Sequence, residues 1–113
     1  MDKKIKIAII GLGYVGYPLA KSFSKFYETV GYDIDNNLIN SLKKKKLDNI
    51  IVSGDSSCIK NSNVYIITVP TPVTKENKPD LSYLESASAI VGKYLKREDI
   101  VIFESTVYPG VTE

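Results

Sequence analysis

Three glycines in six residues, Gly11, Gly13 and Gly16, separate two stretches of opposite character. Before them runs Ile5-Lys6-Ile7-Ala8-Ile9-Ile10, short, β-branched and nearly apolar on both faces toward its end, as a buried parallel strand reads. After them, Tyr14 to Tyr27 changes to helical spacing. Val15, Leu19, Ala20 and Phe23 can share a face there, and Pro18 falls early enough that its missing N–H costs little. A strand, a glycine turn and a helix in direct succession restrict the fold sharply. The chain must reverse within a few residues and leave bare backbone where it does so.

The remainder repeats this alternation. Thr29 to Asp33 reads as a second strand, and Asn36 to Lys46 as a short helix with Leu38, Ile39 and Leu42 inward and Asp35 as its cap. Ile50-Ile51-Val52 marks a third strand. Ser56 to Lys60 follows as a brief helical turn in which Cys58 and Ile59 pack. Asn63 to Val69 is a fourth strand, ending at Pro70-Thr71-Pro72, where neither strand nor helix continues easily. Asp80 is placed to cap a helix from Leu81 to Leu95, with Leu84, Ala87, Ser88 and Val91 as its buried face. Ile100 to Phe103 is a fifth strand, and Ser105 to Glu113 reads as a loop or the approach to a further helix. Strands too apolar to face water, alternating with helices, require an α/β fold. The expectation is a Rossmann-type doubly wound parallel sheet with right-handed crossovers, ending after about the fifth strand.

Within that fold the glycines have separate expected roles. Gly11 allows the tight turn, Gly13 lets a pyrophosphate approach the backbone, and Gly16 lets the helix press close to the sheet. The unpaired N–H groups of the helix start then face the phosphates. Asp33 ends the second strand 22 residues after Gly11, where an acid accepts hydrogen bonds from an adenosine ribose. It would repel an extra phosphate there, and no arginine follows to receive one, so the reading favours NAD over NADP. Other readings stay open at this level. The glycines suit an ordinary strand-to-helix turn, Asp33 suits a strand end or a cap, and FAD enzymes and methyltransferases use comparable loops.

Composition removes several classes. The chain of 113 residues is one domain or part of one. Its net charge of +2 is too mild to argue for nucleic acid, and Lys43 to Lys46 reads as a solvated helix end whose charge complements the helix dipole. One cysteine and no histidine leave no disulfide framework and no structural zinc site. No apolar run is long enough to span a membrane or to serve as a signal core, so the expected location is the cytoplasm.

Two later loops add specificity. The fourth strand ends in Thr68-Val69-Pro70-Thr71-Pro72 and the fifth in Glu104-Ser105-Thr106-Val107-Tyr108-Pro109-Gly110. Both lie at the carboxyl ends of strands, where open α/β sheets bind ligands. Taken with GLGYVG and the YD that closes the second strand, ITVPTP and ESTVYPG resemble the N-terminal domain of the nucleotide-sugar 6-dehydrogenases, from Lys4 to Glu113. ESTVYPG is most similar to the branch that acts on UDP-N-acetylated hexosamines.

The resemblance implies an NAD-dependent, two-step oxidation of a UDP-sugar C6 alcohol to the carboxylate, with the aldehyde captured by a cysteine thiolate between the steps. It implies that Gly11, Gly13, Tyr14, Val15 and Gly16 line the pyrophosphate, that Asp33 holds the adenosine ribose, and that Thr71, Ser105 and Thr106 border the nicotinamide half. Thr106 is the one of these expected near the chemistry, positioning the hydrolytic water. Residues 1–113 then form an incomplete NAD-binding domain, without the helical middle domain, the UDP-sugar domain and the reactive cysteine. Cys58 is expected to be an inert, packed thiol. The expected partners are NAD, a UDP-sugar in the full-length enzyme and, through the missing regions, a second copy. The 113 residues alone are expected not to turn over.

Two departures from the family pattern stand out: a short connection between Lys46 and Ser53, and Tyr17 where leucine is usual. The competing functions are a β-hydroxyacid or 6-phosphogluconate type of dehydrogenase, which the PTP and STVYPG loops fit poorly, and a domain that senses NAD without chemistry.

Overall fold

The structure is a computed structural model and describes residues 5–13, 15–45, 50–69, 71–72, 76, 81–104 and 107–108. In chain order the elements are β1 (Lys6–Ile10), α1 (Gly16–Ser24), β2 (Glu28–Tyr32), α2 (Asn36–Lys43), β3 (Ile50–Ser53), a 3-10 turn (Ser56–Ile59), β4 (Val64–Ile67), β5 (Thr71–Pro72), α3 (Ser82–Tyr94), β6 (Ile100–Phe103) and β7 (Val107–Tyr108). Five strands form one parallel sheet in the order β3-β2-β1-β4-β6. This is the expected Rossmann-type sheet, doubly wound with helices on both faces.

The pleat of β1 explains why both faces are covered. Ile7 and Ile9 point one way and join Ala20, Ile39, Leu42 and Ile66 under α1 and α2. Ala8 and Ile10 point the other way and join Tyr32, Tyr65, Ile67, Ala87 and Val91 under α3 and the 3-10 turn. A strand buried on both faces needs the near-continuous apolar run that β1 carries. The chain leaves β1 toward β2 and returns to β4 on the opposite side, so strand order reverses between β1 and β4. Ile10 lies in register with Tyr32 on one side and Ile67 on the other. Gly11, Asp33 and Thr68 therefore emerge together at the carboxyl end of the sheet, at the switch point.

Helix ends are tighter than the sequence pattern. α1 stops at Ser24 because the amides of Phe26 and Tyr27 both turn back to the Phe23 carbonyl, at 3.0 and 2.9 Å. α2 starts as expected, with the Asp35 carboxylate accepting from the Asn37 and Leu38 amides at 3.0 and 3.2 Å, and stops at Lys43. The exposed Lys45 ammonium lies 5.3 Å, and that of Lys21 5.8 Å, from the centre of the Tyr17 ring. Tyr17 thus takes two cations on a helix face where an aliphatic side chain would take none. The expected cap Asp80 lies outside the described residues.

Two expectations need correcting. Pro70-Thr71-Pro72 and Ser105 to Glu113 read as irregular, yet Thr71 and Pro72 pair with Val107 and Tyr108 in a two-residue parallel ladder. A residue before proline favours the extended region, and a proline is tolerated where no ladder N–H is needed. The strands also read as too apolar to face water. β6, at the sheet edge, leaves Ile100 54% and Phe103 56% exposed, and Ile51 on the other edge strand is exposed as well. The covering helices lie over the central strands, so the edges keep apolar side chains in water. Among the described residues no helix is long and apolar enough to cross a membrane.

The α3 side of the core also holds three acidic groups that burial keeps protonated. Tyr32 is raised by burial and then by the neighbouring Asp33 charge. Tyr65 is raised by burial, partly offset by Lys96, and its hydroxyl donates to the Tyr94 carbonyl at 3.3 Å. Cys58 is raised by burial, partly offset by Lys6. In each case the folded pKa lies above the unfolded one, so the unfolded chain releases its proton first. Stability is therefore fully present below the ordinary values of 9.0 for cysteine and 10.0 for tyrosine and falls as pH rises through them. Urea midpoints measured from neutrality upward should stay level and then drop above 9.0. A Tyr32→Phe chain should lose less over the same range, and a midpoint flat to beyond 10.0 would contradict the assignment.

Candidate functional site

The glycine turn is shaped by contacts that differ at each glycine. Gly11 has φ +103°, a backbone state that disfavours any side chain. Its N–H donates to the Tyr32 carbonyl at 2.8 Å. A Cβ there would also stand 3.1 Å from the backbone of Thr68 and Val69. Gly16, the first residue of α1, has no room at all: a Cβ would fall on the Gly11 carbonyl oxygen and 2.5 Å from Thr68 Oγ1. The close approach expected of Gly16 is thus against the turn itself and the end of β4. Gly13 is the opposite case. A Cβ on it would meet nothing within 4 Å, and it faces a cleft.

Asp33 stands just past β2, half-buried, and its two oxygens do different things. Oδ2 accepts from the Leu12 amide at 2.8 Å, and Oδ1 from the Asp35 amide at 2.9 Å. Each carboxylate oxygen has a second lone pair, so the acid can accept further hydrogen bonds from a ligand while bracing the turn. The two roles open at the level of sequence, strand-end bracket and ligand acceptor, are compatible in one side chain.

The cleft has a volume of about 790 Å³, within the range of small-molecule sites. It runs from Asp33 and Ile34 past Gly11, Gly13 and Val15 to α3, where Tyr83, Ser86 and Ile90 form the far wall. Sequence reasoning read α3 only for the face it buries and missed the edge it turns to the cleft. The signal was present in the small and hydroxyl residues Ser82, Ser86 and Ala87, on one side of the helix. Thr68 was also missed as a site residue. It is 8% exposed, and its hydroxyl donates to the Gly11 carbonyl at 2.6 Å.

Of the other expected site residues, Val15 is the N-cap of α1 and lines the cleft, and Gly16 begins the helix behind it. Thr71 pairs with Val107, which joins the loops after β4 and β6 at the rim of the sheet. Tyr14, Ser105 and Thr106 lie outside the described residues. Cys58 sits in the 3-10 turn, packed with the core beneath α3, and is not among the residues lining the cleft.

A switch point, a bare-backbone turn at a helix start and an acid one strand over suit a dinucleotide. Residues 5–113 match the UDP-glucose/GDP-mannose dehydrogenase family, NAD binding domain. The chain belongs to this family. NAD is accordingly the cofactor of the domain, and the chain shares its fold and sequence with NAD-dependent nucleotide-sugar dehydrogenases.

It is 42% identical to the UDP-N-acetyl-D-glucosamine 6-dehydrogenase of Pseudomonas aeruginosa, over 98% of this chain and 29% of that protein. It is 45% identical to the enzyme of the same name from Salmonella typhi, over 97% and 29%. A solved UDP-D-ManNAc dehydrogenase from Pyrococcus horikoshii superposes with a TM-score of 0.84 at 36% identity, over 94% of this chain and 29% of that one. The chain thus spans under a third of the length of these relatives. The Pseudomonas alignment runs over 124 positions, more than this chain's 113 residues, so that relative carries residues within the domain that this chain lacks.

Proposed function

We propose that the Gly11–Gly16 turn and Asp33 hold NAD, and that the chain is the NAD-binding part of an enzyme that oxidises the C6 alcohol of a UDP-N-acetylhexosamine to the carboxylate in two NAD-dependent steps. The observation that carries the first part is Gly13, whose missing side chain opens onto a cleft that ends at the Asp33 carboxylate. The names of the Pseudomonas and Salmonella relatives support the second.

Bound NAD supplies a hydride acceptor, and the residues of this chain hold it in place. The turn presents backbone without side chains to the pyrophosphate, and the Gly16 amide at the start of α1 offers it a donor, while the Tyr17 and Leu19 amides are taken by the Gly13 and Val15 carbonyls at 3.2 and 3.1 Å and Pro18 has no N–H. The spare lone pairs of Asp33 accept from the adenosine ribose hydroxyls. Tyr14 adds a backbone donor to the turn. Ile34, 74% exposed beside Asp33, and Ile90 across the cleft give the adenine apolar walls. Thr71, Ser105 and Thr106 border the nicotinamide end, with Thr106 nearest the reacting atoms. The reactive cysteine belongs to a part of the enzyme beyond these residues, since the half-buried Cys58 thiol packs against the core and does not line the cleft.

Calorimetric titration of the chain with NAD and NADP tests the site. NAD should bind and NADP should bind markedly more weakly, because its extra phosphate meets the Asp33 charge. Asp33→Asn should weaken NAD about 10- to 100-fold, the scale of a lost charge-assisted hydrogen bond, and narrow the gap to NADP. Equal affinity of the unchanged chain for the two cofactors would overturn the reading. The substrate is tested with the full-length enzyme, which should reduce NAD with UDP-N-acetylglucosamine in preference to UDP-glucose.

A further inference from the structure

The Gly11 carbonyl and the Leu12 amide are the two ends of one peptide unit, and the structure ties down both. The carbonyl oxygen accepts from Thr68 Oγ1 at 2.6 Å, and the N–H donates to Asp33 Oδ2 at 2.8 Å. Among the described residues no peptide bond is cis, so this C=O and N–H point in opposite directions. The strand order supplies a partner on each side: Thr68 follows β4 and Asp33 follows β2, with β1 between them. Thr68 is fixed in turn, because its own amide donates to the Ile10 carbonyl at 2.9 Å. The peptide needs holding. Gly11 at φ +103° has no side chain to resist rotation, and the turn must present one orientation to a ligand.

We infer that Thr68 is a positioning residue for the dinucleotide: its hydroxyl sets the Gly11–Leu12 peptide plane, and that plane orients the Asp33 carboxylate and the path of the backbone into Gly13. The inference rests on the cofactor site proposed above. The chemistry requires a hydroxyl at residue 68. A valine has the same shape and no donor, while a serine keeps the donor and loses only a methyl group.

The test compares Thr68→Val and Thr68→Ser in the 113-residue chain. Without ligand, amide hydrogen exchange at Leu12 should speed up about tenfold in Thr68→Val and stay near the parent rate in Thr68→Ser, the size expected for one lost hydrogen bond. With ligand, Thr68→Val should weaken NAD about tenfold and narrow the preference over NADP, and Thr68→Ser should restore both. Combined with Asp33→Asn, Thr68→Val should add little further loss, because both changes release the same peptide.

A Thr68→Val chain with parent exchange at Leu12 and parent NAD affinity overturns the inference. So does one whose stability falls while its cofactor preference stays unchanged, or an additive double variant. Failure of the unchanged chain to bind NAD would instead overturn the site itself, and the exchange rates would still report on the peptide.

Discussion

Gly16→Ala should be the most damaging small substitution in the glycine turn. The added methyl would fall on the Gly11 carbonyl oxygen, and that carbonyl cannot move aside freely. It is held by the Thr68 hydroxyl, and Gly11 is anchored through its N–H to Tyr32. The alternative is for α1 to lift from the sheet, but Ala20 in the next turn of that helix is fully buried against Ile7 and Ile9. Either adjustment breaks packing, so a loss of about 3 kcal/mol of stability is expected, at the upper end for overpacked sites. NAD binding should disappear with it. Urea unfolding and calorimetry on one preparation measure both effects. A Gly16→Ala chain of parent stability would show that the turn is looser than its contacts indicate.

Gly13→Leu should produce the opposite pattern. Gly11 is the only described glycine with positive φ, so Gly13 has a backbone that a leucine can adopt. Its Cβ direction is open. Stability should stay within about 0.5 kcal/mol of the parent, as for exposed substitutions away from special features. The side chain would stand where the phosphates approach, and NAD affinity should fall about a hundredfold, or roughly 2.7 kcal/mol. The two variants together separate a glycine needed by the protein from a glycine needed by the ligand. Parent NAD affinity in Gly13→Leu would remove the pyrophosphate from this turn.

That separation was only partly legible in the sequence. The spacing of Gly11, Gly13 and Gly16 identifies a turn between a strand and a helix, and Asp33 falls where such turns have their acid. The spacing is silent on what presses against each glycine, because the residues that close on Gly11, Thr68 and Val69, follow β4 more than fifty residues away in sequence. Thr68 illustrates this. In the sequence it is one of two threonines in ITVPTP, and nothing local marks it as the residue that meets Gly11. Tyr83 and Ser86 were invisible for a related reason. An amphipathic pattern shows which face of α3 is buried, but not that its flank closes a cleft over another strand.

The ladder between Thr71-Pro72 and Val107-Tyr108 was hidden for a third reason. Two-residue pairings have no periodicity to read, and prolines locally argue against strands. They form here because β4 and β6 are adjacent in the sheet and deliver both loops to the same rim. Exposure of Ile100 and Phe103 likewise depends on β6 lying at an edge, which an apolar run cannot announce.

Alternation of short apolar strands with helices, and three glycines at a strand end, determined by themselves the layered sheet and the place of its turn. Those are properties of neighbours along the chain: side-chain period, backbone freedom and missing N–H groups. The tertiary structure decided which strands lie side by side, and with that which distant groups share a peptide. Thr68 and Asp33 grip opposite ends of the Gly11–Leu12 unit only because β1 lies between β4 and β2. Hydrogen bonds require atoms within about 3 Å, and only strand order brings these residues so close.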